Sequence, residues 1–150
     1  MPDANLVNLT RDNFLNSIKA SVGSNLFRNL YVKNKQTGED IDVLDDGELS
    51  CAYFVSVIAH MHGLIDSPHA TVSTTLKKLE ESGWTKTSEP SVGAVIHWPA
   101  HNGHEHVGFV VSETECVDND DGARTPQLHG LTMKDGREPV GYYVHPEINI

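Results

Sequence analysis

The sequence is poor in cysteine, in basic residues and in long apolar runs. Only two of its 150 residues are cysteine, and 11 Lys and Arg stand against 21 Asp and Glu. Two cysteines allow one disulfide at most, and a chain of this length buries a core without one, so we expect both thiols to be reduced. No apolar run approaches the roughly 20 residues that a membrane-spanning helix needs.

The acidic balance, a formal net charge of -10, limits the classes of partner. An acidic surface repels phosphate groups, so we expect neither nucleic acid nor a membrane as partner. Residues 1–10 lack the basic and apolar segments of a signal peptide, so the chain is expected to be cytoplasmic as written, or secreted if a leader is missing or export takes another route. The length predicts a single domain over residues 1–150.

Helical periodicity dominates the first half of the chain. The spacing of apolar residues predicts helices over residues 10–22, 50–61 and 71–82, with Thr10 and Thr71 as N-caps of the first and third. The helix over residues 50–61 is apolar around most of its circumference, so we expect it to be central.

The second half of the chain changes to the two-residue period of β-strands. Helices followed by an antiparallel meander predict an α+β fold. The first strand is expected to end at Pro99, and a polar hairpin loop is expected over residues 100–105. The predicted strands cover residues 93–98, 106–112, 115–118, 127–131 and 140–144.

Cys51 and His106 form the most informative pair in the sequence. Cys51 opens the apolar helix, and His106 opens a strand. A helix N-terminus and a nearby imidazolium both stabilise a thiolate, which is the nucleophilic form of cysteine. His106 would then act as base and as proton donor to the leaving amine, while the free amides around Ser50 and Ala52 would bind the oxyanion.

A third polar residue is expected to orient the base from the strand beside that of His106. His129 is the first candidate for this role. Gln127 lies two residues earlier on the same strand face and is the alternate, and the spacing does not decide between them.

Other interpretations of these residues are structural or metal-binding. Free cysteine is often a small buried hydrophobic residue, and this applies to Cys51 as well. Four histidines within ten residues could supply zinc ligands, but no cysteine or carboxylate completes a known pattern, so we expect no metal site and no cofactor. These histidines are His97, His101, His104 and His106.

Five segments together resemble the NlpC-like cysteine peptidases and amidases, a papain-fold family that is related to the CHAP group. The segments stand in the family's order, and the resemblance covers about residues 25–146. They are DGELSCAYFVS at residues 46–56, SGW at 82–84, GAVIHW at 93–98, HVGF at 106–109 and GYY at 141–143.

The resemblance implies a papain-like fold in which the cysteine helix packs on an antiparallel sheet. It also implies Cys51 as nucleophile, His106 as base, His129 as third member and Tyr31 near the nucleophile. The implied substrate is an amide bond in a peptidoglycan peptide. Where many members have Asp and Ser beside the cysteine, this chain has Ser50 and Ala52.

Two alternatives to wall hydrolysis stay open at this point. One is a hydrolase of a non-wall peptide or small amide, because the chain carries no wall-anchoring module. The other is a catalytically silent binding domain on the same scaffold, in which the cysteine and the histidine would lie out of reach of each other.

Overall fold

Three helices pack on a β-sheet in this computed structural model, which describes residues 3–149. Among these residues, none of the helices is long and apolar enough to cross a lipid bilayer. The helices are α1 (Thr10–Ala20), α2 (Cys51–Met61) and α3 (Val72–Glu81). The strands are β1 (Tyr31–Lys33), β2 (Asp40–Asp42), β3 (Thr85–Thr87), β4 (Val95–His101), β5 (His104–Val110), β6 (Glu115–Asp120), β7 (Thr125–Gly130) and β8 (Gly141–Val144).

The main sheet has six strands in the order β3-β8-β4-β5-β6-β7, and every neighbouring pair is antiparallel. The strands β1 and β2 form a separate antiparallel ribbon. The predicted α+β class is therefore confirmed. Strand β5, which carries His106, lies inside the sheet between β4 and β6.

The helix α2 forms the centre of the main core, as its apolar sequence predicts. Six of its eleven residues are buried. Phe54 of this helix packs edge-on against Phe109 of β5 at 5.5 Å between ring centroids, and Phe109 packs in the same way against Phe14 of α1 at 5.3 Å. A second buried cluster, which includes Trp98, Cys116 and Tyr142, lies apart from this main core.

The observed N-terminal ends of α2 and α3 agree with the sequence-based prediction, and that of α1 differs from it. The helix α2 begins at Cys51 as predicted, and the Thr71 hydroxyl caps α3 by accepting from the Thr74 amide at 3.3 Å. The prediction that Thr10 caps α1 is wrong, because Thr10 is already the first helical residue. The preceding Leu9 takes the cap position without a side-chain hydrogen bond.

The hairpin of β4 and β5 is tighter than the sequence predicted. Pro99 does not end β4, which continues to His101, because the register shifts between Trp98 and His101. Such an irregularity accepts a residue that has no N–H to donate. The predicted loop over residues 100–105 shrinks to a turn at Asn102 and Gly103.

Gly108 lets β5 approach β6 at the height of Asp118. A Cβ atom at this position would lie 2.7 Å from the Asp118 Cβ and 2.8 Å from the Val117 carbonyl oxygen. Real Cβ contacts are longer than this, so any side chain at residue 108 pushes the two strands apart.

We therefore predict that Gly108→Ala lowers the free energy of unfolding by about 1–3 kcal/mol through overpacking. The measurement is urea denaturation followed by circular dichroism. Gly130→Ala is the matched control, because its Cβ would have its nearest neighbour at 3.9 Å. Equal stability of the Gly108→Ala variant and wild type would contradict the close approach.

Candidate active site

Cys51 follows directly on a loop of unusual backbone geometry. Asp45, Asp46 and Gly47 have φ angles of 48°, 52° and 90°, which is the left-handed region. A Cβ atom on Gly47 would lie 2.6 Å from the Arg124 carbonyl oxygen, so this turn needs glycine for space as well as for φ. The loop brings the half-buried Cys51 to the first position of α2.

Contacts from β6 and from two arginines hold this loop in place. The buried Asn119 side-chain amide donates to the Gly47 carbonyl at 2.8 Å. Asp46 pairs with Arg28 at 2.8 Å and with Arg124 at 3.4 Å. The start of α2 is thereby tied to β6, the strand next to His106.

The buried carboxylate of Asp118 faces His106. His106 Nε2 lies 2.9 Å from Asp118 Oδ2, and their side chains are 12% and 1% exposed. The oxygen lies off the direction of a ring N–H, so the contact is an ion pair without an aligned hydrogen bond. Burial opposes the carboxylate, but the contacts with His106 and His129 outweigh it and lower the pKa of Asp118.

His129 approaches the same carboxylate from the other side. Its Nε2 donates to Asp118 Oδ2 at 2.5 Å, and its Nδ1 donates to the Gly130 carbonyl at 2.6 Å. A ring whose two nitrogens both face acceptors is an imidazolium. The hydrogen bond with Asp118 and the contact with Cys116 outweigh burial and raise the pKa of His129.

Cys51 and Asp118 are the two groups that favour the charged form of His106. Burial of the ring opposes the charged form of His106. Coulombic attraction to Cys51 and the contact with Asp118 outweigh this cost and raise the pKa of His106. His106 of β5 and Asp118 of β6 are in contact, and Cys51 at the start of α2 is close enough to act on the charge of His106.

A cleft of about 360 Å³ gives access to the two imidazoles. His106 and His129 line it, together with the turns that follow β4, β6 and β7. The buried Trp98 ring lies 5.4 Å from the His106 ring and 5.9 Å from the His129 ring between centroids. The indole therefore limits the movement of both imidazoles.

Asp118 is the site residue that sequence reasoning missed. The structure places His129 on β7, one strand further from β5 than predicted, and β6 supplies the side chain beside His106. The sequence does contain a pattern that predicts this contact. Consecutive antiparallel strands usually pair, and Asp118 lies on the strand predicted directly after that of His106. Asp118 is the last residue of the strand predicted over residues 115–118, and this position gives no sign of burial.

Four further residues that the sequence singled out lie around this group. Ser50 and Ala52 flank the nucleophile position and are buried. Gln127 stands opposite Asp118 in the strand register, but its amide donates to Thr125 Oγ1 at 2.8 Å. Tyr31 lies on β1 with its side chain 71% exposed. The expected roles of these residues stay predictions.

The four clustered histidines do not form one metal site. His97 and His106 occupy adjacent register positions of β4 and β5, so their side chains leave opposite faces of the sheet. His97 Nε2 contacts Glu105 Oε1 at 3.0 Å, and His101 and His104 are exposed on the hairpin. Both cysteines are free.

Comparison with known proteins gives no indication of the family or the function. The sequence matches no protein-family model and no curated protein sequence.

We predict that Asp118→Asn lets His106 and His129 lose their protons at lower pH than in wild type, because the amide no longer stabilises either imidazolium. Side-chain NMR of the histidine rings follows both titrations. In wild type a raised folded-state pKa means that these charges stabilise the fold fully below about 6.5. This stabilisation fades as the pH rises through the folded-state values.

Unchanged titration of His106 and His129 in the variant would show that Asp118 does not hold their protons.

Proposed function

We propose that this protein is a cysteine hydrolase of amide or peptide bonds. One observation carries the proposal: Cys51 at a helix start couples to His106, which in turn contacts the buried carboxylate of Asp118. A nucleophile, a base and a group that orients the base form the usual arrangement of thiol hydrolases.

In the first step the Cys51 thiolate attacks the substrate carbonyl carbon. Asp118 engages Nε2 of His106, which leaves Nδ1 as the ring nitrogen that exchanges protons with the reactants. His106 donates its proton to the leaving amine, and a thioester joins the acyl group to Cys51. His106 then takes a proton from water, whose oxygen attacks the thioester and releases the acid.

The amides of the first turn of α2 would stabilise the oxyanion of each tetrahedral intermediate. First-turn amides have no acceptor within their own helix, and they point along the positive end of its dipole. Cys51 and Ala52 supply such amides. The Ser50 hydroxyl is buried beside them and has no hydrogen-bond partner among the described residues.

The papain-like arrangement and the substrate class are part of this proposal. The chain order of cysteine helix, histidine strand and acidic strand supports the NlpC-like resemblance, and that resemblance implies a peptidoglycan peptide as substrate. The acidic net charge of -10 favours substrates with an exposed amino group. His129, which the sequence suggests as the third catalytic member, contacts Asp118, and its role in this proposal is to keep Asp118 charged and in place.

We predict that iodoacetamide at mildly acidic pH modifies Cys51 much faster than Cys116. Cys51 is half-buried at a helix start and acts on the charge of His106, whereas burial raises the pKa of the Cys116 thiol. Mass spectrometry of peptides after timed labelling measures both rates. Slow and equal labelling of the two cysteines would count against a reactive Cys51.

We predict that Cys51→Ala reduces hydrolysis of a panel of peptidoglycan peptides by roughly 10³-fold or more, because the covalent route is lost.

Asp118→Asn should lower kcat by roughly 10- to 1000-fold with little change in KM, since it acts through His106. Product masses give both rates and the bond that is cleaved.

His104→Ala, on the same strand as His106 but exposed, is the matched control and should keep wild-type rates. Cleavage that survives in Cys51→Ala would overturn the proposed mechanism. A panel of non-wall peptides and small amides, assayed in parallel, tests the substrate class separately from the nucleophile.

A further inference from the structure

We propose that Cys116, Asp118 and His129 form a binding site for Zn²⁺. Each residue offers one ligand atom, and the three atoms lie within 4.8 Å of one another. Thiolate, imidazole and carboxylate together suit zinc, whereas Mg²⁺ and Ca²⁺ prefer oxygen ligands. This site is distinct from the nucleophile, because Cys51 contributes nothing to it.

The sheet register brings the three side chains to one face. Cys116 and His129 are directly opposite each other on β6 and β7, and Asp118 is two residues further along β6. Cys116 Sγ lies 3.7 Å from His129 Nε2. Sulfur and nitrogen ligands of a tetrahedral zinc ion are separated by roughly 3.5 Å, so this pair is already spaced for the metal.

The surroundings of His129 fix the ring in the orientation that a zinc ligand needs. Metal-binding histidines usually donate their second ring nitrogen to a carbonyl or carboxylate. Here Nδ1 donates to the Gly130 carbonyl at 2.6 Å and Nε2 faces Asp118, while Cys116 Sγ lies 3.7 Å from both ring nitrogens.

Zinc would replace protons in this cluster. The Cys116 thiol and His129 Nε2 each release one proton to water, and Asp118 is already ionised, so one Zn²⁺ displaces two protons. The Asp118 Oδ2 to His129 Nε2 distance must open from 2.5 Å to roughly 3.3 Å, the separation of two ligands on tetrahedral zinc.

The cleft supplies an entry path and a fourth ligand. Cys116 and Asp118 are buried, but His129 lines the cleft, so an ion can arrive from solvent on that side. A water molecule from the cleft completes the coordination. Zinc bound here would draw Asp118 away from His106 and thereby inhibit hydrolysis. This inhibition, unlike zinc binding itself, rests on the proposed function.

The test uses Co²⁺ as a spectroscopic substitute for Zn²⁺ on the metal-free full chain. We expect one Co²⁺ per chain, tetrahedral visible bands and a near-ultraviolet sulfur-to-cobalt charge-transfer band that disappears on addition of Zn²⁺. The charge-transfer band should be lost in Cys116→Ser and retained in Cys51→Ser. His104→Ala, which alters an exposed hairpin histidine, should also retain it.

X-ray absorption of the wild-type zinc complex gives an answer that does not depend on how the variants fold. One sulfur neighbour at about 2.3 Å, with the remaining neighbours nitrogen or oxygen at about 2.0–2.2 Å, is expected. Absence of sulfur, or a cobalt band that needs Cys51 rather than Cys116, would overturn the proposal. Both readouts measure binding alone, so they stand even if Cys51→Ala shows that the proposed hydrolase chemistry is wrong.

Discussion

The ion pairs of the buried Asp118 carboxylate are the interaction on which the candidate site depends. A charge that is taken out of water costs several kcal/mol unless partners compensate for it. His106 and His129 supply these partners from the two neighbouring strands. Because both imidazoles face one oxygen atom, the carboxylate sets the position and the protonation of each. Loss of either ring would leave the charge on Asp118 short of a partner.

Three successive residues of β6 couple this charge to the rest of the fold. Val117 packs into the main core, Asp118 meets the imidazoles, and Asn119 donates to the carbonyl of Gly47. Because side chains alternate along a strand, one rigid element reaches the core, the charge cluster and the loop before Cys51. One strand therefore ties the loop before Cys51 to the carboxylate that contacts His106.

The sequence predicted the parts of the fold that depend on local pattern. The bounds of α2 and the Thr71 cap follow from apolar spacing and from side-chain capping, which act within a few residues. Asp118 was missed because its role depends on which strands pair, and pairing is a contact between distant residues. The sequence around an acidic residue next to a turn looks the same whether its side chain is buried or exposed to solvent, so the sequence does not predict its burial.

Several buried polar atoms without a hydrogen-bond partner belong to residues around the candidate site. Within residues 3–149, five buried side-chain polar atoms have no hydrogen-bond partner, and three of them belong to Ser50, His106 and Asn119. Folded proteins satisfy nearly all buried polar groups, so such a concentration needs a reason. Catalytic hydrogen bonds are often misaligned before substrate binds and tighten only in the complex. In the proposed mechanism, alignment of His106 Nε2 with Asp118 and a substrate carbonyl group beside Ser50 would supply these missing partners.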